Sequence, residues 1–252
     1  ARTLVPTILA AFDGIEIQDP DMKSALNYFR NWNFIMRGED VTTSLFQAFL
    51  VKAIPNTFAD ELGPSIARLY DTLATKPLTA LTELLQMDSS VWFDDVTTDH
   101  KETKNEIIRR SLEQGINMLR HELGGEFKEW RWGRIHQAEF GHVFGENPLL
   151  RPLFNVGPFA VGGAHSTVWT GDFRVRGAFK NHIGPSARVI VDLADQNNTR
   201  TVTPPGQSGH LFHDNYDDQI PLWLNGGYKR LPMDRDLIEQ GEYDLLELRP
   251  KQ

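Results

Sequence analysis

Apolar residues in the first half of the chain recur every three or four positions, the repeat that gathers side chains onto one face of an α-helix. Leu4, Ile8, Ala11 and Phe12 form one such stripe, closed by Asp13-Gly14. Leu26, Phe29, Trp32, Ile35 and Met36 form a second, running to Gly38. A third takes Leu45, Phe46, Phe49, Leu50 and Ala53, with Pro55 as its expected end because proline has no backbone N–H to continue the ladder. The pattern continues over 60–73 and 77–86. The clearest helix is predicted over 99–123: Ile107, Ile108, Leu112, Ile116 and Leu119 share one face, the other is charged, and Gly124-Gly125 stops it.

After Trp130 the pattern changes. Glycines at 141, 145, 157, 162, 163, 171, 177 and 184 and prolines at 148, 152, 158 and 185 interrupt any helical repeat. Short β-type runs replace it at Thr167-Val168-Trp169, over 188–193 and over 199–203. The last two flank Asp195-Gln196-Asn197-Asn198, a run of turn formers, and predict a β-hairpin. A polar, helical tail follows Pro232. The expectation is an α+β fold, with a mainly helical segment over 1–129 and a Gly/Pro-rich strand segment with a C-terminal tail over 130–252. The same order of elements also fits a helical layer attached to strands that complete a larger sheet.

Composition narrows the function. The 252 residues carry 26 Lys+Arg against 34 Asp+Glu, a formal net charge of −8 that argues against nucleic acid as a partner. No run approaches the 18 or so apolar residues of a membrane-spanning helix. Cysteine is absent, which removes disulfides, thiolate catalysis and thiolate metal sites. Ala1-Arg2-Thr3-Leu4 shows neither a start methionine nor a signal sequence, so the chain reads as trimmed or cut from something longer.

Residue chemistry alone nominates no catalytic constellation. His136 and His142 lie near Glu139, but not at the i, i+4 spacing of a helical zinc site, so hydrogen-bonding roles are expected. Asp192 and Asp195 read as turn formers, and Asp217-Asp218 lacks the ligand spacing of a calcium loop. Ser208 in Gly206-Gln207-Ser208-Gly209 superficially resembles a nucleophile elbow, but the second glycine stands one residue after the serine instead of two. The two glycines predict a tight turn with at least one positive φ angle.

The order of residues says more. Pro204-Pro205-Gly206-Gln207-Ser208-Gly209, then Asn215-Tyr216-Asp217-Asp218-Gln219, then Pro221-Leu222-Trp223 and Gly227-Tyr228 resembles the C-terminal signature of the penicillin acylase family of N-terminal-nucleophile hydrolases. The segment 184–193, Trp130-Arg131-Trp132-Gly133, Gly162-Gly163 and Phe12-Asp13-Gly14, the last with Phe for the family's usual Trp, follow the family order. The resemblance spans essentially the whole chain.

This resemblance implies a four-layer α-β-β-α core, to which the chain contributes helices and strands, built from a precursor that cuts itself into two chains. It implies a nucleophile, usually Ser, at the new β-chain amino terminus, whose α-amino group serves as base, and an oxyanion-stabilising Asn. Both are expected upstream, so no catalytic residue is carried onto this chain. Asn31-Trp32-Asn33 resembles the setting of the family Asn but follows the Asp-Gly segment. Gly206, Gln207, Ser208, Gly209, Asp217, Gln219 and Trp223 are expected to be structural. The chain then reads as the C-terminal part of an acylase β chain whose assembled enzyme hydrolyses N-acyl-homoserine lactones or β-lactam antibiotics. Its partners would be a companion α chain and the nucleophile-bearing β-chain segment. The resemblance further implies no catalytic cofactor, any structural calcium held mainly by the other chains, and a periplasmic or secreted location. The contrasting reading is a non-catalytic structural or binding module of the same fold.

Overall fold

The computed structural model describes residues 1–70, 75–175, 179–241 and 248–250. The chain forms two compact units, Ala1–Glu139 with Gly157–Gly184, and Phe140–Val156 with Pro185–Gln252. The compositional change at 129/130 thus falls inside the first unit, which the chain leaves at Phe140 and re-enters at Gly157.

The first unit is built on helices α1 (Leu4–Ala10), α2 (Pro20–Arg30), α3 (Val41–Tyr70), α4 (Thr75–Leu84) and α5 (Lys104–Leu123). Thr103 and Glu106 cap α5 reciprocally, the hydroxyl accepting from the Glu106 N–H and the carboxylate from that of Thr103. The five apolar residues of its predicted stripe are all at most 1% exposed. Each such burial contributes roughly 1.5–3 kcal/mol. They face α3, whose residues Val41–Leu50 are buried on every side.

That all-round burial explains one departure from the pattern. α3 does not end at Pro55; it runs on to Tyr70 with a single break at Gly63, where φ is 67°. Packing outweighs the roughly 3 kcal/mol that an interior proline costs. The predicted helix over 60–73 is therefore the second half of α3, and its residues 71–73 lie outside the described residues.

A second departure is the end of α2 at Arg30, well before Gly38. Asn31 Nδ2 donates to the Asn27 carbonyl, Asn33 Oδ1 accepts from the Ile35 N–H, and Phe34 turns left-handed at φ 64°. Asparagine side chains compete here with the helix for backbone groups.

α6 (Trp132–Ile135) leads into the two-stranded ladder of β1 (Gln137–Phe140) and β2 (Val156–Ala160). The β-type run at 167–169 is no strand: the Thr167 hydroxyl bonds the Ala164 N–H and carbonyl, closing a turn that leaves Val168 exposed.

The second unit holds the short helices α7 (Arg151–Phe154), α8 (Ile220–Asn225) and α9 (Arg235–Glu239). Its antiparallel sheet has the order β3 (Arg188–Ile190), β4 (Arg200–Val202), β5 (Lys229–Arg230). Arg188 stands opposite Val202 and Ile190 opposite Arg200, so the predicted hairpin is present with shorter strands than the sequence suggests. Asp192 Oδ1 takes the Ala194 N–H and Asp195 Oδ1 that of Asn197, the turn roles expected of them. The tail beyond α9 falls partly on residues 242–247, outside the described residues.

Candidate functional site

The C-terminal signature folds on itself within the second unit. Gln219 is 4% exposed; its Oε1 accepts from the Thr203 N–H at 2.8 Å and its own N–H donates to the Pro205 carbonyl at 3.1 Å. These bonds tie the 203–206 segment to the start of α8. One turn further, the Trp223 indole donates to the Pro185 carbonyl at 2.9 Å, meets Phe140 edge-on at 5.5 Å, and lies under the Arg188 guanidinium at 4.7 Å. Arg188 Nη1 also donates to the Trp223 carbonyl at 2.7 Å. Trp223 is thus a buried anchor fixed through both its ring and its backbone.

Gly206 is required for a reason other than the one its sequence suggests. Its φ is not positive; instead, a β-carbon there would lie 2.2 Å from the Asn215 carbonyl oxygen and 2.8 Å from both Asp218 Oδ1 and the Tyr216 carbonyl oxygen. Gly209 also lacks a positive φ and opens onto free space. Close backbone approach at Gly206, with no left-handed turn, is what the motif demands.

Ser208 is built into the same loop. Its N–H donates to the Asn215 carbonyl and its hydroxyl oxygen accepts from the His210 N–H at 3.1 Å. Exposed Gln207 donates to the Thr203 hydroxyl at 2.9 Å, and Asp217 contributes its carbonyl to the Ile220 N–H. Asp218 ion-pairs with Lys229. The segment has the chemistry of a backbone clasp.

The histidines of 136–142 do not assemble a metal site. His136 is fully buried and stacks on Trp132 at 4.5 Å. Its Nδ1 donates to the Phe179 carbonyl at 2.7 Å, leaving Nε2 to accept from Asn181 at 3.3 Å. Burial pushes its pKa down to about 4, against the opposing pull of the Phe179 carbonyl. His142 Nδ1 accepts from the Phe144 N–H, and Glu139 pairs with Lys180 at 2.6 Å. Among the described residues, no three His, Asp or Glu side chains form a group able to hold a metal ion.

Pattern reasoning misses a cleft of about 570 Å³ in the first unit, walled by Phe34, Met36, Phe46, Leu50 and Leu78, with His165 at its edge. His165 is buried, with Nδ1 3.2 Å from Asp172 Oδ1 but outside hydrogen-bonding geometry. Phe34 and Ser166, the two non-glycine residues with positive φ among the described residues, both line this cleft. No periodicity reveals it, because its walls come from segments more than 100 residues apart.

Asn31 and Asn33 are likewise engaged locally, by the bonds that end α2. No described helix is long and apolar enough to cross a membrane.

Comparison with known proteins places these features in a family. The family profile described as Penicillin amidase matches residues 1–240. An acyl-homoserine lactone acylase QuiP from Pseudomonas syringae pv. tomato is 31% identical over 206 residues, covering 79% of this chain and 25% of the relative. The protein of the same name from Pseudomonas fluorescens is 32% identical over 194 residues, covering 75% and 23%. This chain therefore spans about a quarter of the length of the curated relatives it matches. Among solved structures, a thermostable penicillin G acylase from Alcaligenes faecalis aligns with all of this chain and 47% of its own, with a TM-score of 0.54 at 17% identity, a likeness of fold. The mixed helix-and-strand architecture agrees with that α+β fold, and the chain belongs to the penicillin amidase family.

Proposed function

We propose that this chain is part of an amidohydrolase that cleaves the amide bond of N-acyl-homoserine lactones, releasing a carboxylic acid and the amine of the lactone. The observation that carries the reading is the alignment, over 79% of the chain, with a relative named for that activity. The site residues support a division of labour. Gly206, Gln207, Ser208, Gly209, Asp217, Gln219 and Trp223 act as scaffold, and the reacting group belongs to a part of the enzyme outside these 252 residues.

In this reading the nucleophile is the side chain of an amino-terminal Ser, Thr or Cys exposed by precursor cleavage, with its own α-amine as base. The chain is the C-terminal part of that β chain, associated with an α chain in the periplasm or outside the cell. The β-lactam amide is the competing substrate, supported by the family description Penicillin amidase and by likeness of fold to a penicillin G acylase. No metal is given a catalytic role.

The test incubates the intact protein with N-acyl-homoserine lactones of increasing acyl length and with penicillin G, and measures the amine released. Release of homoserine lactone amine in preference to the β-lactam nucleus is the expected result. Ring opening without amide cleavage, or no turnover of any acyl amide, would overturn the proposal. Residues 1–252 by themselves are expected to show no turnover, and Edman sequencing of every copurifying chain should reveal the nucleophilic terminus.

A further inference from the structure

In the sheet of the second unit, Arg200 of β4 stands directly opposite Arg230 of β5. Opposed cross-strand side chains share one face, with β-carbons roughly 5 Å apart, and like charges in that position destabilise the pair. The other cross-strand partners in this sheet set an arginine or lysine against Val202, Ile190 or Thr201, or pair Val189 with Thr201. Two cations are thus placed side by side in a protein of net charge −8.

Nothing described neutralises them. Among the described residues neither guanidinium has an ion pair, and the bond from Arg230 goes to a neutral acceptor, the Asn197 carbonyl. Of the carboxylates in this unit, Asp218 pairs with Lys229, while Asp195 and Asp234 accept from Asn197 and Asn198 and not from either arginine. Both arginines line a groove of about 430 Å³, together with Asn198, Gly226, Gly227 and Tyr228.

The groove is also preorganised. Arg230 Nε donates to the Asn197 carbonyl at 2.8 Å. Asn197 is itself pinned, its Oδ1 accepting from the N–H groups of Met233 and Asp234 and its Nδ2 donating to Asp234 Oδ2 at 2.8 Å. That anchor fixes the plane of the guanidinium and leaves its two Nη groups for a ligand, so little rotamer freedom is lost on binding.

We propose that this groove is an oxyanion site that takes a phosphate group, either free or carried on a small phosphate ester. Two guanidinium groups carried on one face of the sheet match a dianion with several acceptor oxygens better than a single carboxylate. The groove exceeds the size of one phosphate, which leaves room beside Tyr228 for the body of an ester. The like-charge pair that weakens the empty sheet then becomes its binding determinant. The site is independent of the proposed amide hydrolysis, and its test reads binding.

The experiment titrates the intact protein with inorganic phosphate and, separately, with glycerol phosphate, at constant ionic strength in chloride, following the phosphorus NMR signal and the Tm. Saturable binding of either probe, with a rise in Tm, is expected; the tighter of the two identifies free phosphate or an ester as the source. Arg200→Gln and Arg230→Gln should each weaken binding about tenfold, the loss of one charge-assisted contact. The double variant should show no saturation. Without phosphate, Arg200→Gln should keep or raise the Tm, because a repulsive pair is removed, whereas Arg230→Gln also gives up the bond to the Asn197 carbonyl. Arg235→Gln, which alters only a pair with Glu239, should leave binding unchanged. Absence of saturation in the intact protein, equal affinity for acetate, or unaltered binding by the folded double variant would overturn the proposal.

Discussion

The two units are held together by different means. In the first, one continuous apolar core joins Leu4, Ile8, Phe29, Phe49, Ile108, Leu112, Trp130 and Trp132 with Phe173 and Phe179. In the second, Val202, Tyr216, Ile220 and Trp223 are the buried large apolar residues among the described residues, while Val189, Ile190, Leu193 and Phe212 are all at least half exposed. Its order comes from anchored hydrogen bonds: Trp223 to Pro185, Gln219 to Thr203, and the Tyr216 hydroxyl to the Phe154 carbonyl. The difference teaches that a recognisable family signature need not sit on a large core. Here it marks a place where backbone segments are clasped, and a clasp tolerates different substitutions from a core.

The sharpest way to break this contrast is to truncate each region. Trp132 is fully buried, stacked on His136, edge-on to Phe173 and Phe179, with its indole donating to the Gly163 carbonyl at 2.8 Å. Trp132→Ala should cost about 3–5 kcal/mol in chemical denaturation of the intact protein. A loss under about 1 kcal/mol would mean that the first unit does not depend on its core.

A smaller effect, confined to the first unit, concerns acid. His136 titrates near 6.5 when unfolded and at about 4 when folded, chiefly because burial disfavours its charged form. The unfolded chain therefore binds the extra proton between these values. The contribution is fully present above pH 6.5 and is lost progressively as pH falls toward 4, reaching roughly 3 kcal/mol. Denaturation of the intact protein and of His136→Phe across this window should give a steeper fall for the wild type. Parallel curves would remove His136 from the account.

In the clasp, Gly206→Ala places a β-carbon against three oxygens and should cost about 1–3 kcal/mol, read as a lower Tm and less assembled protein. Ser208→Ala loses only the acceptor for the His210 N–H, an effect of about 1 kcal/mol or less, and turnover per correctly assembled molecule should stay near normal. Loss of turnover with normal Tm would instead place this segment in the chemistry. Gly209→Ala, at an open position, should fall within about 0.5 kcal/mol of neutral. Equal losses at Gly206 and Gly209 would show that close approach at Gly206 is not what the motif demands.

The sequence by itself determined the helices whose apolar stripe has a clear boundary. α1 ends before Asp13-Gly14, and α5 keeps all five predicted core residues. It also determined the turn roles of Asp192 and Asp195, since an Asx side chain that bonds a backbone N–H two residues on is a local event. The family was legible for a related reason: the order of motif residues along the chain needs no coordinates to read. Tertiary structure decided what depends on distant neighbours. Helix α3 continues through Pro55 because burial on every side outweighs a lost backbone bond, and α2 stops at Arg30 where asparagine side chains take over its backbone groups. Gly206 is required by oxygens from residues 215, 216 and 218, and the face shared by Arg200 and Arg230 exists only once β4 and β5 are in register. Local preference is written residue by residue, whereas close approach and the juxtaposition of charges arise only when separate segments meet in the folded chain.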